Sequence, residues 1–187
     1  SDFGHVKFIS HKQLPLLESS KFSPIKYFVE PIALSLNFID QNYDYDSYYM
    51  VGISGGGWTT VLYSAIDQRI SQSYSVAGSY PLHLRYEAKN LGDYEQSNPN
   101  IYRISNYLEL YTMSSFGNDR KLVQLFIYND PCCFQAELYE KFPYGNAIQD
   151  RLEILGDEGK FSVFLDNSTN QHEISEHTLS LILDEMS

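Results

Sequence analysis

Three residues in this chain are of types that could together cut an acyl bond: Ser54, Asp130 and His172. Ser54 lies in Gly52-Ile53-Ser54-Gly55-Gly56, a G-x-S-x-G preceded by the apolar run Tyr48–Val51 and followed by residues that open a helix through Trp58. A serine on a sharp strand-to-helix turn holds its hydroxyl clear of the backbone, and flanking glycines remove side chains that would clash there. The free N–H groups of the helix N-terminus lie beside such a serine, and Gly55, the residue after it, is the expected oxyanion donor. Serine alone is a poor nucleophile and needs a base within hydrogen-bond reach. Histidine titrates in the right range to take the proton and return it. A carboxylate fixes the histidine tautomer and steadies the imidazolium. The order in the chain is nucleophile, acid, base.

The elements that would position these residues follow from periodicity. Residues 1–26 read as irregular, broken by Pro15 and Pro24. Phe28, Ile32, Leu36 and Ile39 recur at helical spacing over about 25–39, with Pro31 acceptable in a first turn. The strand at Tyr48–Val51 leads into a helix over Gly55–Ile66, and a second strand spans Ile70–Ala77. A long tyrosine-rich stretch, 79–117, contains a helix predicted at 104–113. Leu122–Tyr128 (LVQLFIY) is the clearest buried strand, stopping at Asn129-Asp130-Pro131. Helices are predicted at 134–141 and 147–155, a fourth strand at 161–165, and a last helix at 175–186. Near-continuous apolar strands alternating with helices indicate an α/β fold, a parallel sheet of about four strands with helices on both faces. Chemistry in such sheets gathers at the carboxyl ends of the strands. Ser54, Asp130 and His172 each follow a different strand.

With these motifs the chain resembles the C-terminal, catalytic part of an α/β-hydrolase of the esterase-like kind. The match runs over about residues 25–187: Gly52-Ile53-Ser54-Gly55-Gly56 is similar to the nucleophile elbow, Asp130 follows LFIYN where the superfamily carries its acid, and His172 follows the final strand where it carries its base. Ala65-Ile66-Asp67-Gln68-Arg69-Ile70, leading to Ala77-Gly78, adds to the likeness. The resemblance implies a serine hydrolase that cleaves an ester, thioester or related acyl bond of a small molecule through an acyl-enzyme. The same triad also cleaves amides, so peptidase activity stays open. It implies a single domain over 1–187 with a cap-like segment at 79–117. It also implies about four further strands before the Ser54 strand, together with the loop that usually supplies a second oxyanion N–H. The expectation is therefore an N-terminally incomplete domain, or one that pairs with another segment or subunit. Two alternatives stand beside this reading. Gly52–Trp58 also resembles the phospholipase-type Ser–Asp dyad, although the sequence has no Asp-Gly pair where that group carries its aspartate. A non-catalytic binding protein on the same fold is the other.

Several residues compete with the leading assignment. Asp166 ends the last strand and is the rival acid. His5, His11, His83 and His177 rank below His172 as bases, and His83 lies in the cap-like stretch. Trp58 reads as a helix residue covering the core, Cys132 and Cys133 as small buried apolar residues, and Gly92-Asp93-Tyr94-Glu95 as a solvated acidic loop. Adjacent cysteines rarely meet disulfide geometry, and two of them without spaced partners argue against structural zinc. No cofactor and no metal is therefore expected.

Composition narrows the class further. The chain has 187 residues, enough for one domain with a real core, and its 43% hydrophobic content is that of a globular protein. With 24 acidic and 13 basic residues its formal net charge is -11, which disfavours nucleic-acid phosphates and anionic membrane surfaces as partners. No apolar run reaches the length of a membrane span. Asn167-Ser168-Thr169 matches a glycosylation sequon of little weight. The chain opens Ser1-Asp2 without a signal peptide, leaving its compartment open. The 16 tyrosines are expected to be mostly packing residues, some lining a pocket with polar tips.

Overall fold

The computed structural model describes residues 7–186. Four strands, β1 (Tyr48–Ile53), β2 (Ile70–Val76), β3 (Lys121–Ile127) and β4 (Lys160–Asp166), form one sheet in the order β1-β2-β3-β4. All three pairings are parallel, with Ile53 opposite Val76, Val76 opposite Leu125, and Ile127 opposite Asp166. Each crossover carries helix, as parallel strands require. The helices are α1 (Lys26–Asn42), α2 (Gly55–Ile66), α3 (Tyr94–Ser97), α4 (Pro99–Tyr102), α5 (Tyr107–Ser115), α6 (Ala136–Lys141), α7 (Gly145–Ile154) and α8 (Glu176–Met186).

Burial follows position in the sheet. LVQLFI of β3 is buried throughout because both its faces are covered, whereas edge strand β1 alternates. On one face, α2, α5 and α7 pack over Leu122, Phe126 and Phe161, with Trp58, Tyr80, Tyr107 and Tyr111 filling the core. On the other, α8 places Ile182 over Tyr74, Val76, Val123, Leu125 and Ile127. At β1, Tyr49 and Val51 on that second face stay 41% exposed. The unpaired side of β1 is a sheet edge.

Some boundaries differ from those the sequence predicts. Residues 11–17 form a 3-10 helix inside the stretch read as irregular. α1 starts one residue later and runs to Asn42, so Pro31 lies beyond its first turn, yet the helix continues through it. α5 starts at Tyr107 rather than 104 because Asn106 and Glu109 make a reciprocal capping box that sets the N-terminus there. Half of the six tyrosines of 79–117 are core: Tyr80, Tyr107 and Tyr111 are buried, Tyr94 and Tyr102 are half-buried, and Tyr86 is exposed. The hydroxyls of the buried three are spent internally, on Gln135 O at 2.6 Å, Gln96 O at 3.0 Å and Ser79 Oγ at 3.0 Å respectively. Arg85, itself buried, stacks 4.3 Å over the Tyr107 ring.

Candidate active site

Ser54 occupies the turn between β1 and α2 with φ 57° and ψ -124°, a left-handed conformation rarely adopted by a non-glycine residue and costing about 1–3 kcal/mol. The turn is held by Ser54 N–H donating to Val76 O at 2.9 Å and by Trp58 N–H donating to Ser54 O at 3.0 Å. Two glycines let the helix sit this close. A Cβ on Gly52 would lie 2.3 Å from Gly56 O, and one on Gly57 would lie 2.8 Å from Val76 O. Gly55 and Gly56 are different, since a Cβ on either meets nothing within 4 Å. Half of the expected steric reason for the glycines therefore holds. Gly55 N–H belongs to the first turn of α2, whose donors have no intrahelical acceptor.

Asp130 lies just past β3 and is fully buried. Its Oδ1 accepts the N–H groups of Cys132 at 2.7 Å and Cys133 at 3.3 Å, which fix the carboxylate. Its Oδ2 faces His172 Nδ1 at 2.7 Å. An ionised Asp130 accepts there, so Nδ1 carries the proton and Nε2 keeps its lone pair. Nε2 is buried without a hydrogen-bond partner, so it makes no hydrogen bond to Ser54. The structure thus joins Asp130 to His172 directly and sets Ser54 at the same end of the sheet. Catalytic hydrogen bonds often close only when substrate binds.

Asp166, the rival acid, is engaged elsewhere. Its Oδ1 accepts Ser168 N–H at 2.8 Å and Ser168 Oγ–H at 2.6 Å, and its Oδ2 accepts from Ser175 Oγ at 2.6 Å and Thr178 Oγ1 at 2.7 Å. Burial alone would raise its pKa, but these hydrogen bonds outweigh it and hold the carboxyl below its ordinary value. Asp166 therefore ties the end of β4 to the start of α8 and shapes the loop that carries His172. A second brace joins the loops, Asn129 Nδ2 donating to Asn170 Oδ1 at 2.8 Å.

The other singled-out residues sort clearly. Trp58 is buried as expected, and its Nε1 donates to Tyr102 OH at 2.8 Å. His83 and His177 are exposed, and His5 lies outside the described residues. Cys133 is buried, and burial pushes its thiol pKa well up. Cys132, expected inside, is exposed because the tight turn after Asp130 projects it outward. The acidic loop is corrected too: Glu95 is 1% exposed, buried where α3 packs on the 3-10 segment. Among the described residues, two groups have donor atoms within 4.8 Å of one another, as a metal ion would need: Cys132, Cys133 and His172, and His11, Asp93 and Glu95. Sequence reasoning missed both because their members are far apart in the chain or adjacent without metal-site spacing.

No family model and no curated protein matches the sequence. Solved structures do. The acetyl xylan esterase from Paenibacillus sp. R4 aligns at TM-score 0.59 and 11% identity, over 98% of this chain and 58% of that one. Acetyl xylan esterase 1 from Thermoanaerobacterium sp. JW/SL YS485 aligns at TM-score 0.58 and 13% identity, over 97% and 58%. The glucuronoyl esterase from Solibacter usitatus aligns at TM-score 0.54 and 12% identity, over 81% and 45%. The chain therefore has the α/β-hydrolase fold, and it spans little more than half the length of the acetyl xylan esterases it matches. No helix among the described residues is long and apolar enough to cross a membrane.

Proposed function

We propose that this chain carries the catalytic residues of an esterase-like serine hydrolase. The observation that carries the reading is His172: its Nδ1 is pinned to buried Asp130 and its Nε2 is left free, at the sheet end where Ser54 sits strained on its turn. In this mechanism Nε2 takes the Ser54 proton as Oγ attacks the acyl carbon of a small-molecule substrate. The N–H of Gly55 donates to the oxyanion that forms. Collapse of that intermediate breaks the bond to the leaving group, which takes the proton from Nε2, and Ser54 is left as an ester. Water then loses a proton to Nε2 and attacks the acyl carbon. The acid departs, and the proton returns to Ser54 Oγ. Asp130 orients the imidazole and steadies its charged form throughout. The structural neighbours named as esterases support an acyl substrate.

Among the described residues, this reading assigns one oxyanion donor, the N–H of Gly55. We propose that the second comes from a segment, of the same or another polypeptide, that pairs with the free edge of β1. The exposed Tyr49 and Val51 on that strand support such a partner. The Asp130–His172 hydrogen bond favours a triad over a Ser–Asp dyad. The test is hydrolysis of p-nitrophenyl acetate by the chain and by its Ser54→Ala and His172→Ala variants. The triad predicts that both variants fall to background, whereas full activity in His172→Ala would refute it.

A further inference from the structure

We propose that His11, Asp93 and Glu95 form a binding site for a borderline divalent cation of the zinc type, apart from the Ser54–His172 centre. His11 Nδ1 lies 3.1 Å from Glu95 Oε1 and 3.4 Å from Asp93 Oδ2, and the three donor atoms are all within 4.8 Å of one another. Zinc bonds nitrogen and carboxylate oxygen at about 2.0–2.2 Å, so ligand atoms around a tetrahedral ion stand about 3.3–3.5 Å apart. The two measured separations are already close to that spacing.

Three further observations point the same way. Glu95 is buried, with its side chain 2% exposed, and its Oε2 has no hydrogen-bond partner. A buried carboxylate with an unpaired oxygen is costly unless it is protonated or faces a cation. Asp93 occupies the N-cap position of α3 yet makes no capping hydrogen bond, its carboxylate turned to His11 instead. The His11 ring is set by Phe28, edge-on at 5.5 Å, and Phe28 in turn packs 5.4 Å from Trp58. Glu18, at the end of the same 3-10 segment as His11, is held by Ser23 at 2.8 Å, Asn98 at 2.9 Å and Tyr94, and the ligand cluster consists of His11, Asp93 and Glu95.

Two carboxylates and a neutral imidazole carry two negative charges, which a divalent ion neutralises. The nitrogen ligand favours zinc over magnesium or calcium. His11 and Asp93 are 47% and 53% exposed, so the ion can enter and a water can fill the fourth position. Bound there, it would clamp the 3-10 segment at His11–Leu17 to α3.

The test is isothermal titration of the full chain with zinc chloride at pH 7.5, beside His11→Ala and Asp93→Asn, each first shown to keep the wild-type far-ultraviolet spectrum. A Cys132→Ser variant controls for the thiol cluster. The proposal predicts one equivalent bound to the wild type and to Cys132→Ser, with at least tenfold weaker binding in both His11→Ala and Asp93→Asn. It also predicts a rise in unfolding temperature with zinc that those two variants lose. Calcium should produce neither effect. Binding unchanged in Asp93→Asn and His11→Ala, binding lost only in Cys132→Ser, or no binding at all would each overturn it.

Discussion

Replacing Asp166 by asparagine separates two carboxylates that the sequence leaves as rivals. The substitution keeps the size of the side chain and removes its charge. Four hydrogen bonds of 2.6–2.8 Å converge on the Asp166 oxygens, from Ser168 N–H and the hydroxyls of Ser168, Ser175 and Thr178. Bonds to a charged acceptor contribute about 1.5–3 kcal/mol and neutral ones about 1. The amide also places a donor against two hydroxyls that must turn round. The expected loss is about 3 kcal/mol, or roughly 6–12 °C in unfolding temperature for a domain of this size. The pH dependence has a definite sign. Because the folded-state pKa of Asp166 is lowered, its stabilisation is complete above the unfolded carboxyl value and fades as the pH falls through the folded one. The gap between wild type and Asp166→Asn should therefore be full near neutrality and shrink below about pH 4. Urea unfolding by circular dichroism from pH 2.5 to 7.5 measures it. The rate of p-nitrophenyl acetate hydrolysis per folded molecule should change less than tenfold, since His172 keeps Asp130. A variant with wild-type stability and a thousandfold lower rate would refute this division of labour and make Asp166 the orienting acid.

Three shorter predictions probe the turn and the acid. Gly52→Ala forces a Cβ to 2.3 Å from Gly56 O and 2.7 Å from Thr60 Oγ1, so α2 must shift; a loss of about 3 kcal/mol or more in urea unfolding is expected. Gly56→Ala, whose Cβ meets nothing within 4 Å, should leave stability unchanged or raise it by up to about 1 kcal/mol by the same measurement, since alanine is the better helix former. Asp130→Asn removes the acceptor that fixes the His172 tautomer, so kcat should fall about 10³–10⁴-fold with the far-ultraviolet spectrum unchanged.

The sheet was legible because its strands are buried on both faces and read as apolar runs; LVQLFI could hardly be anything else. Ser54 was legible for a local reason, since a strand, a glycine-flanked serine and a helix lie within a dozen residues. Asp130 and His172 could be located only as residues following strands. That they meet at 2.7 Å depends on β3 and β4 being neighbours in the sheet, which no local pattern encodes. The choice between Asp130 and Asp166 needed side-chain geometry: both are buried, and only their partners separate them. The start of α5 was missed by three residues because hydrophobic spacing was weighed over the Asn106–Glu109 cap. Burial of Glu95 was missed because its sequence neighbours are polar while its spatial neighbours come from the 3-10 segment more than 75 positions earlier.

If Ser54 is a nucleophile activated by His172, treatment of the chain with a fluorophosphonate followed by peptide mass spectrometry will find a phosphonyl adduct on the peptide containing Ser54, absent from Ser54→Ala and slowed at least a hundredfold in His172→Ala. An adduct that persists in Ser54→Ala, or no adduct on the wild-type chain, would contradict this assignment.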